Sequence, residues 1–323
     1  MLVKEKHKRL RLFGEVMGLA PLPLRLKEAR IAVMGEEDVP RSKFGLSSLQ
    51  QLYPRISPRM WRGRAYLPKT VIISNLFNHT QTPIEEGWSV EKTQTRDFRG
   101  KNLTYNSHNG TDFAIPVGST VCAAAPGKVV AVISEFNRGG LKIFIDHGNG
   151  VITSSGHLAR SFVKQGQVVH RGEPIALSGY SGLDAVVTFP FGIPHVHFNV
   201  WLNGEPVDPF PHDNNESMWR AGNMPVAERK TDEQLMAANF NEQRTHQAIE
   251  ACKTPALRQM LAAIPVLHER AANTIIKMNY YPTRFTQRYN LYEETFPRLP
   301  LLSLPFAPEE FNRLVFLDEL LAQ

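Results

Sequence analysis

With 323 residues, 42% hydrophobic and 21% charged, the chain is long enough for one substantial core with appended elements. No apolar run approaches the eighteen or so residues that a membrane-crossing helix needs, so no transmembrane segment is expected. The formal net charge of +6 does not point to nucleic acid, because eight Lys or Arg against three Glu within residues 1–30 carry +5 of it and the rest is nearly neutral.

That basic arm reads as a solvated terminal segment. Its stretch from Leu10 to Leu26 is cut by Arg11, Glu15, Pro21, Pro23 and Arg25, so no secretory leader is expected there. An amphipathic helix is expected near Leu22 to Val33, followed by turn-rich chain holding Pro40, Pro54, Pro58 and Pro68. Residues 1–68 are therefore read as an irregular N-terminal extension, with two roles open: a cap on the following sheet, or a plug across its cleft. From about Val71 the period shortens to that of strands. Val71 to Ser74, Trp88 to Val90, Val129 to Ser134 and Leu141 to Asp146 are expected strands. Asn149-Gly150 then turns the last of them into Val151 to Ser154. Turn residues every eight to twelve positions make residues 69–215 an all-β unit. Past Pro211 the pattern turns helical. Thr231-Asp232-Glu233-Gln234 reads as a capping box opening a helix to about Ala251. Thr254-Pro255 opens a second, broken at Pro265, and Pro308 to Leu321 carries a third apolar stripe. Residues 216–323 thus form an α-helical C-terminal region. Cys122, on an apolar strand, and Cys252, in a helical stretch, read as buried free thiols.

Chemistry concentrates in three separated patches. In Pro194-His195-Val196-His197-Phe198 the strand period puts both imidazoles on one side, and Asn203-Gly204 closes the strand with a hairpin turn. Upstream stand His108-Asn109-Gly110-Thr111-Asp112 and Thr153-Ser154-Ser155-Gly156-His157. Histidines and one carboxylate from such patches suit a catalytic zinc, which takes three protein ligands and keeps a position for water.

These residues resemble the lysostaphin-like, or M23, zinc endopeptidases that cut bacterial cell-wall peptides. The likeness spans roughly residues 90 to 212. It runs from the H-x-G-x-D opening at His108 through Asp146-His147-Gly148-Asn149-Gly150, Gly156-His157-Leu158 and Ser178-Gly179-Tyr180-Ser181-Gly182 to the closing H-x-H. The resemblance implies a mainly β chain built on an antiparallel β-sandwich or barrel-like core of the duplicated hybrid motif type. It also implies one zinc per chain, held by His108, Asp112 and His197, with His157 and His195 as uncoordinated catalytic histidines. Peptidoglycan stem or cross-bridge peptides, or other peptides, are the implied substrates, and the cell envelope or exterior the implied location. His147 receives no role.

Two departures from the family pattern are visible. Ser155 stands where family members often carry an oxyanion-stabilising Tyr, which leaves Tyr180 or Tyr105 as substitutes. The apolar stretch Leu183 to Pro194 is longer than the family's usual link and is expected to wall the cleft. Two other functions are open to such a chain. A non-catalytic adaptor regulating other wall hydrolases is disfavoured because all five positions are filled, and a phosphocarrier or lipoyl-type module because Asp112 and the additional histidines have no place in it.

Overall fold

The computed structural model describes residues 13–84, 87–235 and 239–322. Three helices lead in: α1 (Phe13–Met17), α2 (Leu22–Met34) and α3 (Ser57–Trp61). The β region follows with β1 (Thr70–Asn75), β2 (Thr111–Ala114), β3 (Thr120–Cys122), β4 (Gly127–Glu135), β5 (Gly140–Asp146), β6 (Val151–Ser161), β7 (Val168–Val169) and β8 (Pro174–Ser178). It continues through α4 (Leu183–Thr188) to β9 (His195–Leu202) and β10 (Glu205–Val207). The C-terminal part holds α5 (Glu242–Glu250), α6 (Pro255–Ala262), α7 (Leu267–Tyr280), β11 (Arg313–Phe316) and α8 (Leu317–Leu321).

The eleven strands among the described residues join one sheet, whose main path runs β11-β1-β2-β9-β6-β5-β4-β7. Every pairing is antiparallel except β1 with β11. The antiparallel, mainly β architecture expected from the sequence is therefore present, with helices at both ends of the chain, three of them in the N-terminal part expected to be irregular. Both Asn-Gly hairpins form, with Asn149, Gly150, Asn203 and Gly204 all at positive φ, the conformation these two residue types tolerate best.

The sheet is buried on both faces, and alternation decides which residue goes where. Along β9, Val196, Phe198 and Val200 enter a core shared with Phe113 of β2 and Trp219, whereas Trp201 enters a second core beneath α5, α6 and α7. His195 and His197 fall on the face of Trp201 by the same period. There the C-terminal helices stop short of them, and the N-terminal segment roofs the space instead: Leu52 bridges Gly192, and the Tyr53 amide donates to the Phe191 carbonyl at 2.8 Å.

Several local expectations change. The helix near Leu22 forms, but it is not amphipathic: Leu22, Leu26 and Met34 stand in solvent, while Arg25 is buried, donating to Glu28 and to the carbonyl and hydroxyl of Ser134. Trp88 to Val90 makes only an isolated bridge between Lys43 and Ser89. The helix expected from Thr231 starts at Glu242, capped by the Asn241 side chain, which accepts from the Arg244 amide at 2.8 Å. Within the stretch expected to open it, Glu233 is bidentate with Arg171 at 2.8 and 2.9 Å. Expected residues 236–238 of that helix lie outside the described ones. The stripe from Pro308 to Leu321 is not one helix. Its middle pairs with β1 as β11, because the open edge of β1 offers backbone partners that outweigh local propensity.

Candidate metal centre

β2 and β9 pair so that Asp112 lies directly opposite His197 and Ala114 opposite His195. Cross-strand neighbours of this kind are within side-chain reach. His108 stands just before β2, fully buried, and Gly110 lets the chain pass close to β9. A Cβ at Gly110 would lie 2.7 Å from the Phe198 carbonyl oxygen and 2.9 Å from His197 Nε2.

Three ligand atoms converge as a result. His197 Nδ1 lies 2.7 Å from Asp112 Oδ1, His108 Nε2 lies 3.1 Å from the same oxygen, and the two nitrogens are 3.2 Å apart. A tetrahedral zinc with bonds of 2.0 to 2.1 Å separates its ligands by about 3.3 Å, so this triangle fits the ion after a small expansion. The outer partners fix the tautomers and lone pairs. His108 Nδ1 donates to the Leu76 carbonyl at 2.6 Å, freeing Nε2 for a ligand role, and the Asn75 amide donates to Asp112 Oδ2 at 2.9 Å. Burial opposes ionisation of Asp112, yet the His108 and His195 rings and the hydrogen bonds from His108 and His197 outweigh it and hold the carboxyl well below its usual range.

His157 and His195 approach from the side of the triangle. His157 Nδ1 donates to the Ser181 carbonyl and His195 Nδ1 to the Ile193 carbonyl, each at 2.8 Å, so each keeps a free Nε2. His195 Nε2 lies 3.6 Å from Asp112 Oδ1, and the two rings meet edge to face at 4.8 Å. Burial, reinforced by the neighbouring His195, pushes the His157 imidazole well below its ordinary pKa, so it is neutral at pH 7. Its backbone sits at φ 57°, an unusual conformation for a non-glycine residue, pinned by hydrogen bonds to Gly139, Gly179 and Ser181.

A cavity of about 440 Å³ opens over Asp112, His157 and His195. Phe44, Leu49 and Tyr53 of the N-terminal segment form one wall, and Val187 and Thr188 of α4 another. Tyr105 and Tyr180 also face it, the Tyr105 ring 4.4 Å from that of His108 and the Tyr180 ring 4.9 Å from that of His195. Burial raises both phenols, so both remain protonated donors.

Residues 106–209 match the model of peptidase family M23. Over that segment the chain is similar to peptidase family M23. Two relatives in Vibrio cholerae are the peptidoglycan DD-endopeptidases ShyA, 35% identical over 39% of this chain and 28% of the relative, and ShyB, 39% identical over 33% and 23%. The chain thus spans about a quarter of the length of these relatives. A crystal structure of a zinc-containing peptidase from Vibrio cholerae is 30% identical, covering 45% of this chain and 40% of that one at a TM-score of 0.33.

All five residues singled out in the sequence of the M23 segment meet at this one place. Sequence reasoning missed Asn75 and the carbonyls of Leu76, Ser181 and Ile193 that orient the site. Backbone acceptors leave no residue-type signal, and Asn75 precedes the family segment. His147 lies apart from these five. It is buried, donates from Nδ1 to the Pro126 carbonyl and accepts at Nε2 from the Thr153 hydroxyl.

Proposed function

We propose that the chain is a zinc-dependent endopeptidase acting on the stem or cross-bridge peptides of peptidoglycan. The observation that carries this reading is the triangle of His108 Nε2, Asp112 Oδ1 and His197 Nδ1 with two free imidazole nitrogens beside it. His108, Asp112 and His197 hold the ion, and Asn75 keeps Asp112 turned toward it. Bound there, zinc acts as a Lewis acid and lowers the pKa of a water to about 7. His157 and His195, each fixed by its Nδ1 hydrogen bond with Nε2 free, take the proton of the attacking water and return it to the leaving amide nitrogen. Tyr180 and Tyr105 supply hydroxyl donors for the charge that develops on the substrate carbonyl oxygen, the task for which Ser155 is too short. The cavity between α4 and the N-terminal segment receives the peptide, and its mixed aromatic and aliphatic walls suit a short chain of small residues. Peptidoglycan is favoured because the two relatives are named for cleaving it.

The test is digestion of purified cross-linked muropeptides, with product masses read with zinc, with a chelator, and after zinc is restored. Cleavage of an amide bond that chelation stops and zinc restores is expected. Absence of any product from zinc-replete protein would remove the proposal.

A further inference from the structure

A second set of metal-ligating side chains meets away from this centre. His79, Asp208 and His212 each present one ligand atom, all within 4.8 Å of one another. His79 belongs to the loop after β1, Asp208 directly follows β10, and His212 lies on the next turn, which Asn215 closes by pairing with it. His79 Nε2 is 2.8 Å from Asp208 Oδ2, and the two imidazole rings cross edge to face at 4.6 Å.

The local bonding leaves these atoms pointing inward. The Asp208 side chain is fully buried, and its other oxygen accepts the Phe210 amide at 3.0 Å. His212 Nδ1 donates to the Phe210 carbonyl at 2.9 Å, which leaves its Nε2 lone pair as the acceptor, met by the Asn215 side-chain amide at a long 3.5 Å. Arg298 donates to the backbone carbonyls of Asp208 and Phe210, while the His79 ring meets the buried carboxylate oxygen. Two imidazoles and a carboxylate are the donor set of a borderline transition ion such as Zn²⁺, whereas Ca²⁺ and Mg²⁺ favour oxygen alone. His79 and His212 are partly exposed, which gives an ion a route in and leaves room for water to complete the coordination.

We propose that His79, Asp208 and His212 bind a second zinc-class cation, which clips the loop after β1 to the chain after β10. The same loop grips the first centre from behind: the Asn78 amide and the Gln81 side chain both donate to the His108 carbonyl at 2.9 Å, on either side of His79. An ion at His79 therefore stiffens the support of His108 without touching the reacting groups.

The experiment is isothermal titration of chelator-stripped full-length protein with Zn²⁺, counting ions in the parent and in His212→Ala, His79→Gln, His197→Ala and His197→Ala/His212→Ala. The expected counts are two, one, one, one and none. Melting curves of the same proteins provide an independent readout: Zn²⁺ raises the melting temperature of His197→Ala but not of the double variant. A parent that binds one ion, lost in His197→Ala and kept in His212→Ala, overturns this site and leaves the peptidase proposal intact. A second ion that survives both His79→Gln and His212→Ala also overturns it. Loss of zinc only in His212→Ala, with His197→Ala unaffected, would instead refute the first centre.

Discussion

Gly110→Ala tests the geometry of the first centre with one added methyl group. Its Cβ would lie 2.7 Å from the Phe198 carbonyl oxygen and 2.9 Å from both His197 Nε2 and Asn199 Nδ2, where ordinary contact begins at 3.4 Å. The His197 ring must therefore retreat by roughly half an ångström. β9 cannot absorb the displacement, because β2 and β10 hold one of its edges and β6 the other. Overpacking of this kind costs about 1–3 kcal/mol, and metal ligands tolerate displacements of only about 0.2 Å. If the strain falls on the His197 bond, zinc affinity drops roughly 5-fold to 150-fold. Competition with a chromogenic chelator measures this directly. Gly14→Ala, with nothing within 4 Å of the new methyl, is the control and should bind as the parent does. Gly110→Ala protein that holds zinc within twofold of the parent would refute the reasoning.

The five site residues should separate by role: His108→Ala, Asp112→Ala and His197→Ala lose the ion of the first centre, whereas His157→Ala and His195→Ala keep it and lose turnover by roughly 100-fold to 10000-fold, read by metal analysis and peptide hydrolysis. Tyr180→Phe is expected to lower turnover up to about 100-fold with zinc retained, if its hydroxyl is the main oxyanion donor, and an unchanged rate would shift that task to Tyr105. Shortening Leu183 to Pro194 removes the α4 wall of the cavity and should change which peptides are cut without changing zinc content, as product masses from mixed peptides would reveal. Burial lowers the His147 pKa to about 4, below the 6.5 of the unfolded chain, so the unfolded state takes up the proton first as pH falls. Stability should therefore drop by about 3 kcal/mol between pH 6.5 and 4 on account of this one ring, and His147→Gln should flatten that part of the pH profile in urea unfolding.

The sequence by itself determined what is local. Strand period put His195 and His197 on one face, Asn149-Gly150 and Asn203-Gly204 made their hairpins, and Thr254-Pro255 opened a helix, because each depends only on neighbouring backbone geometry. The likeness to M23 peptidases added residues far apart in the chain, and pairing of β2 with β9 is what brings Asp112 opposite His197. What only the tertiary structure decided involves partners from distant segments. The Thr231 stretch opened no helix and its Glu233 paired with Arg171, the stripe after Pro308 became a strand at an open sheet edge, and Arg25 was buried in place of the leucines beside it. The same holds for the roof that residues 44–53 lay over the cavity and for the meeting of His79 with His212. None of these leaves a periodic trace, since a long-range hydrogen bond or an unpaired strand edge stabilises a conformation that local propensity alone would not select.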